Sequence, residues 1–317
     1  MARTRYVTDR GLIARMGATM FLLGLVFTLF IVALVFVLAA FHAASSGGIL
    51  AIAVIVAVAM AFGSFYFSDK IALATAGARI VTAQQAPQLH GVVDRICALA
   101  NMPKPAVAIA PARMPNAFAT GRSSKASVIC VTTGLLDTLG DNPTELEAVL
   151  AHEMSHVAHR DVAVMTVASF LGILAGLLIR FSYYGEIFGG GRRGNNNNDP
   201  TALIFLATML VSAIVYAISF LLIRMLSRYR ELSADRSAAL LTGQPSALAS
   251  ALVKVSGDMA RIPTQDLRKA APLNAFYFTP ALARGRGGQG LAELFSTHPS
   301  LEKRLAQLDK ISKELSR

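Results

Sequence analysis

Asp141-Asn142-Pro143-Thr144-Glu145-Leu146-Glu147-Ala148-Val149-Leu150-Ala151-His152-Glu153-Met154-Ser155-His156 is the stretch on which the reading of this chain turns. Asn142 offers a capping side chain, Pro143 brings the fixed φ that suits a first helical position, and Glu145 stands where a negative charge faces unsatisfied N–H groups. The pattern predicts a helix that begins at Pro143 and runs without a breaker toward Arg180. His152 and His156, four residues apart, lie on one face of such a helix, so both rings can reach one ion. Neutral imidazole suits zinc. Glu153 sits one residue round from His152, beside that ion without ligating it, where it can take a proton from an attacking water.

Outward from this segment the chain becomes strongly apolar. Of its 317 residues 54% are hydrophobic and 15% charged, against about 25% charged in an ordinary soluble domain. A purely soluble protein is not expected, and a disordered one is excluded. No Asp, Glu, Lys or Arg occurs between Arg15 and Asp69, and the run breaks only near His42–Gly48. Two spans are predicted, Met16–Phe41 and Ile49–Phe67, each close to the ~20 residues that a hydrocarbon core requires. A cleaved signal peptide would have a shorter apolar core and no second span directly behind it. Val162–Ile179 and Pro200–Ile223 are likewise uncharged; the alternative to spans there is a pair of buried helices. The connector Arg180–Asp199 carries Gly189–Gly191 and Asn195–Asn198 and reads as a loop, as does Gly-rich Arg284–Gly290.

The predicted organisation is therefore 1–67, a basic tail with spans 1 and 2; 68–161, a hydrophilic part containing the histidine helix; 162–223, a membrane hairpin; and 224–317, a second hydrophilic part. Thirty Lys and Arg against 19 Asp and Glu give a formal charge of +11. The basic residues flank apolar runs, as suits an anionic leaflet, and no basic stripe interleaved with aromatics suggests nucleic acid. Arg3, Arg5, Arg10 and Arg15 hold the N-terminal tail in the cytoplasm, and an even number of spans returns both hydrophilic parts to that side. Arg192 and Arg193 in the outer loop count against this orientation, but they are outnumbered. Cys97 and Cys130 form no CxxC pair, so a disulfide scaffold or cysteine zinc ribbon is not expected, and a reducing compartment is.

Within 68–161, Pro87–Asn101 has a helical apolar period. Ala106–Ala110, Asn116–Thr120 and Val128–Thr133 read as short strands of a small sheet, and Gly134–Leu139 as a short helix. Near the C-terminus Leu301, Leu305, Leu308 and Ile311 make a helical stripe within Pro299–Leu315.

A tetrahedral ion needs a further protein ligand, and three candidates are present. His159 continues the face of His152 and His156, but three ligands stacked along one helix cannot converge. Glu186 falls in the connector, across the membrane. Glu231, in Glu231-Leu232-Ser233-Ala234-Asp235, follows the fourth span on the correct side. At about 1.5 Å per residue, His156 (about six residues before its span) and Glu231 (about eight after its own) both lie roughly 10 Å from the hydrocarbon edge, if the helices continue straight. The competing reading pairs Glu231 with Arg228 or Arg230. Asp235, one turn beyond Glu231, could orient a ligand histidine through its free ring nitrogen.

His152–His156, then a membrane hairpin, then Glu231–Asp235 and Thr297-His298-Pro299-Ser300, resembles the HtpX-type membrane zinc metalloproteases, relatives of the CAAX prenyl proteases. The resemblance covers nearly the whole chain. It implies an α-helical integral membrane protein with four transmembrane helices and a cytoplasmic α+β, mostly helical, gluzincin-type protease domain. It further implies one zinc ion per chain held by His152, His156 and Glu231, with Glu153 as general base. His298 and Arg304 are implied as a pair near the scissile carbonyl that stabilises the developing oxyanion. Asn116, Ala117 and Phe118 resemble the substrate-binding edge strand, which would add an extended peptide through main-chain bonds. The expected partners are polypeptide substrates, membrane proteins among them, and the bilayer, at a bacterial inner membrane with the site facing the cytoplasm.

Other classes fit less well. An intramembrane protease would bury its HExxH in an apolar span, whereas Glu145, Glu147, Arg160 and Asp161 surround this one. Val162 stands where a metzincin carries its third histidine. A transporter would show paired ionisable groups near the bilayer midplane. A non-enzymatic scaffold or chaperone with structural histidines is the remaining alternative.

Overall fold

The computed structural model describes residues 10–40, 47–189, 201–261 and 298–316. The connector from 190 to 200 and the Gly-rich Arg284–Gly290 lie outside the described residues. The chain divides into two units. One comprises Met1–Met16, Phe65–Ala163 and Ser227–Arg317, the other Gly17–Ser64 and Val164–Leu226.

The second unit is built from apolar helices: α1 (Arg10–Ala40), α2 (Gly47–Tyr66), most of α7 (Asp161–Gly189) and the first part of α8 (Thr201–Thr242). Three stretches among the described residues are long and apolar enough to cross a membrane on their own, Gly11–Val37, Asp161–Tyr183 and Leu203–Thr242. The expected span Ile49–Phe67 passes only jointly with α3 (Ser68–Ala76), and the two are bent by 70° at Phe67. Beyond that bend the sequence acquires Asp69 and Lys70, and α3 turns to lay Ala72 on the sheet of the other unit's protein core, to which it belongs.

That core is a four-stranded sheet, β1 (Arg79–Ile80), β2 (Ala106–Ala110), β3 (Ala117–Ser123) and β4 (Ala126–Thr132), in the order β1-β2-β4-β3. β2 and β4 are parallel, and the outer pairs are antiparallel. Alternation sorts the side chains. Val107, Ala117, Ile129 and Val131 face α4 (Pro87–Ala100), α6 (Pro143–Ala158) and α9 (Pro245–Arg261); Ala108, Ala110, Phe118, Val128 and Cys130 face α3. The strands and helices expected over this region are found within two residues, except that β3 runs three residues past the expected end at Thr120, to Ser123. Burial pushes the Cys97 thiol up to about 11 and Cys130 to about 12, so both are inert packing groups.

Short side chains start the helices that carry the site. Asn142 Oδ1 accepts the Glu145 N–H at 3.3 Å ahead of α6, and Ser300 Oγ accepts the Lys303 N–H at 3.4 Å ahead of α10 (Leu301–Leu315). Thr132 opens α5 (Thr133–Leu139) by accepting from Leu135 N at 3.2 Å.

The expectation of one helix from Pro143 toward Arg180 is not met. α6 closes at Ala158, Arg160 takes a left-handed φ of 56°, and α7 starts at Asp161. A left-handed conformation costs a non-glycine residue about 1 kcal/mol, and the bonds made by Asp161 offset it: its carboxylate accepts from both His156 and Arg230. No glycine or proline marks the break. α8, by contrast, runs unbroken for 42 residues through Glu231 and Asp235.

Candidate metal centre

α6 presents His152 and His156 on one face, with ring centroids 5.0 Å apart and planes nearly perpendicular at 87°. α8 supplies Glu231 opposite them. Its Oε2 lies 3.6 Å from His152 Nε2 and its Oε1 3.5 Å from His156 Nε2. One potential donor atom from each of the three residues falls within 4.8 Å of the other two. Two donors about 2.1 Å from a tetrahedral ion stand about 3.4 Å apart, so the nitrogen–oxygen spacings fit a zinc ion among these residues. His159 does not join the cluster; it caps the end of α6, and burial lowers its pKa. Glu186 lies on α7, outside the part of that helix whose side chains are described.

Each imidazole is held from behind by an aspartate. His152 Nδ1 lies 2.9 Å from Asp235 Oδ1, and His156 Nδ1 lies 2.5 Å from Asp161 Oδ2. A carboxylate on Nδ1 fixes the proton there and turns the Nε2 lone pair toward the centre. The spacing of Glu231 and Asp235 predicts the first contact; the second is not predicted, since on a continuous helix Asp161 would face away from His156.

The electrostatics favour a cation. Glu231, Asp235 and Asp161 are buried, which alone would raise their pKa values. Neighbouring groups, chiefly His298 for Glu231, Arg304 for Asp235 and Arg230 for Asp161, hold all three carboxyls below the usual carboxylate range. His152 is fully buried, which opposes protonation, yet the hydrogen bond and charge of Asp235 lift it to about 9. A site that keeps a proton so tightly is one in which a metal ion can replace that proton. Glu153 lies beside the cluster, 5% exposed. Burial pushes its pKa up, opposed chiefly by His152 and His156, which makes it a stronger proton acceptor than an exposed carboxylate.

His298 lies three residues before α10, and Arg304 in its first turn. His298 Nδ1 donates to Glu231 Oε2 at 3.0 Å, which places the ring at the cluster. Arg304 is 2% exposed and grips Asp235 with both arms, Nε to Oδ2 at 2.7 Å and Nη2 to Oδ1 at 2.6 Å. Its Nη2 also comes within 3.5 Å of His152 Nδ1; that nitrogen donates to Asp235, so the approach is a consequence of the shared carboxylate. Arg304 thus supplies the counter-charge that the buried Asp235 carboxylate demands.

β3 is an outer strand of the sheet, as expected, and α6 packs against it. Asn116 immediately precedes it. Its N–H donates to Thr132 Oγ1 at 2.8 Å, and its carbonyl accepts from Thr132 N at 2.9 Å. Ala117 faces the α6 side, whereas the Phe118 side chain is buried on the opposite face against α3.

Comparison with known proteins agrees with this geometry. Residues 83–312 match the profile of Peptidase family M48. The chain is 56% identical over 315 residues to Protease HtpX homolog 1 of Streptomyces coelicolor, covering 99% of this chain and 97% of that one. It is 48% identical to Protease HtpX homolog 2 of Methanosarcina mazei, over 99% and 100% of the two chains, and 48% identical to Protease HtpX homolog of Moorella thermoacetica, over 99% and 98%. With a two-histidine, one-glutamate cluster on a chain bearing long apolar helices, this chain belongs to peptidase family M48 and is a membrane-bound metalloprotease.

Proposed function

We propose that the protein is a zinc-dependent endopeptidase that cuts polypeptides, membrane proteins among them, at the cytoplasmic face of a bacterial inner membrane, in quality control and the stress response. The observation that carries this reading is the meeting of His152 and His156 with Glu231 from a second helix, with Glu153 beside them. Four spans are proposed, with α2 and the bent α3 completing the three helices that pass singly. The arginines of the N-terminal tail support the cytoplasmic orientation.

His152, His156 and Glu231 would hold one zinc ion, leaving a position open to substrate or water. When bound, zinc would polarise the scissile carbonyl and make the attacking water more acidic. Glu153 takes that water's proton and returns it to the leaving amine, for which its raised pKa is suited. His298 supports the developing oxyanion from its place at the cluster. Arg304, paired with Asp235 beside His152, supports the same carbonyl together with His298. The outer strand β3, at Asn116–Phe118, adds an extended peptide by main-chain bonds beside α6, which gives affinity with little sequence selectivity.

The test is casein-type cleavage by the purified full-length protein, with and without chelator, beside Glu153→Gln. Chelation should abolish activity and zinc restore it. Glu153→Gln should keep its zinc and lose about 10²–10⁴-fold in rate. Undiminished proteolysis by pure Glu153→Gln protein would overturn the assignment.

A further inference from the structure

One carboxylate at the cluster has no part in the mechanism above. Asp161 is 1% exposed, and its Oδ2 accepts from His156 Nδ1 at 2.5 Å and from Arg230 Nη2 at 2.8 Å. The opposite nitrogen of His156 looks toward Glu231 Oε1 at 3.5 Å. With the proton fixed on Nδ1, the Nε2 lone pair is left for a metal.

The chain makes this contact by breaking its own helix. On an unbroken helix a residue five positions past His156 would lie about 140° round the axis, too far to face the same ring. The left-handed turn at Arg160, φ 56°, swings Asp161 back onto His156 while leaving it as the first residue of α7. Arg230 immediately precedes Glu231 on α8. One buried carboxylate thereby joins α6, the start of α7 and α8 at the two metal-facing residues His156 and Glu231.

We propose that Asp161 is a positioning residue for the metal ligand His156, held in place by Arg230, and that the helix break at Arg160 exists to deliver it. The proposal rests on the zinc reading above. It extends that reading to a residue for which the spacing of the motif assigns no role.

Zinc titration of the full-length protein in lipid nanodiscs against a chromophoric chelator, together with the visible spectrum of the cobalt-substituted protein, tests it. His156→Ala should lose tight binding. Asp161→Ala should weaken zinc binding about 10–100-fold and shift the cobalt spectrum. Asp161→Asn keeps an oxygen acceptor and the side-chain shape, so it should fold normally and fall between the two. If Asp161→Ala and Asp161→Asn bind zinc as the unaltered protein does, with an unchanged cobalt spectrum, Asp161 is only a structural link and the proposal fails, whatever happens to thermal stability. If the unaltered protein binds no zinc, or His156→Ala binds it equally well, the zinc reading fails first and takes this proposal with it.

Discussion

The carboxylate of Asp235 accepts the Nδ1 proton of His152 at 2.9 Å, one helical turn beyond Glu231 on the same helix. A single stretch of α8 thus contributes both a metal-facing carboxylate and the group that aims the opposing imidazole. The same aspartate is gripped on both oxygens by buried Arg304, so ligand orientation and charge balance meet in one side chain.

Asp235→Ala should therefore weaken zinc binding about 10–100-fold. Competition with a chelator of known affinity measures this directly. An unchanged affinity would mean that His152 is oriented by packing alone.

Arg304→Met leaves Asp235 buried and without its counter-charge, and it should lower folding stability by about 3 kcal/mol. Arg304→Lys should recover only part of that loss, since an ammonium cannot match the two-armed contact. Thermal unfolding of the two variants in the same detergent would compare them. Equal stability of Arg304→Met and the unaltered protein would contradict the role given to this pair.

Zinc affinity should depend on pH through His152. Its pKa in the metal-free protein is raised from 6.5 to about 9. The raised value stabilises the metal-free fold fully below pH 6.5, and that contribution fades as pH rises through about 9. Zinc must displace this proton, so apparent affinity should climb by up to about tenfold per pH unit between these values. A flat profile from pH 6.5 to 9 would show that His152 is already neutral.

Thr132 ties the entry of β3 to the end of β4. Its hydroxyl accepts from Asn116 N at 2.8 Å and from Leu135 N at 3.2 Å, and donates toward Met114 O at 2.8 Å. Thr132→Val keeps the shape and removes these bonds inside a buried site, so a loss of about 1–3 kcal/mol is expected. If β3 also receives substrate, KM for a peptide should rise more than kcat falls.

Much of the site was legible because it is written locally. HExxH places two rings and a base on one helix by periodicity alone, and the Asn142-Pro143 cap announces where that helix starts. The β-rich run Val128–Thr133 reads as a strand, and β4 is found there. The two aspartates were not equally readable. Asp235 sits one turn from Glu231 on a helix that stays regular, so spacing suggested it; Asp161 did not, because its position depends on a left-handed Arg160 that neither glycine nor proline signals.

The sequence by itself determined which residues could bind a metal, which stretches seek lipid, and that a third ligand was needed, with Glu231 the candidate on the correct side of the membrane. Only the tertiary structure decided that Arg304 serves Asp235, that Phe118 turns away from α6, and that Asp161 reaches His156. The physical reason is that periodicity fixes which face of an element a side chain occupies. The partner waiting on that face is chosen by burial, since a charge removed from water must find its opposite wherever in the chain it lies.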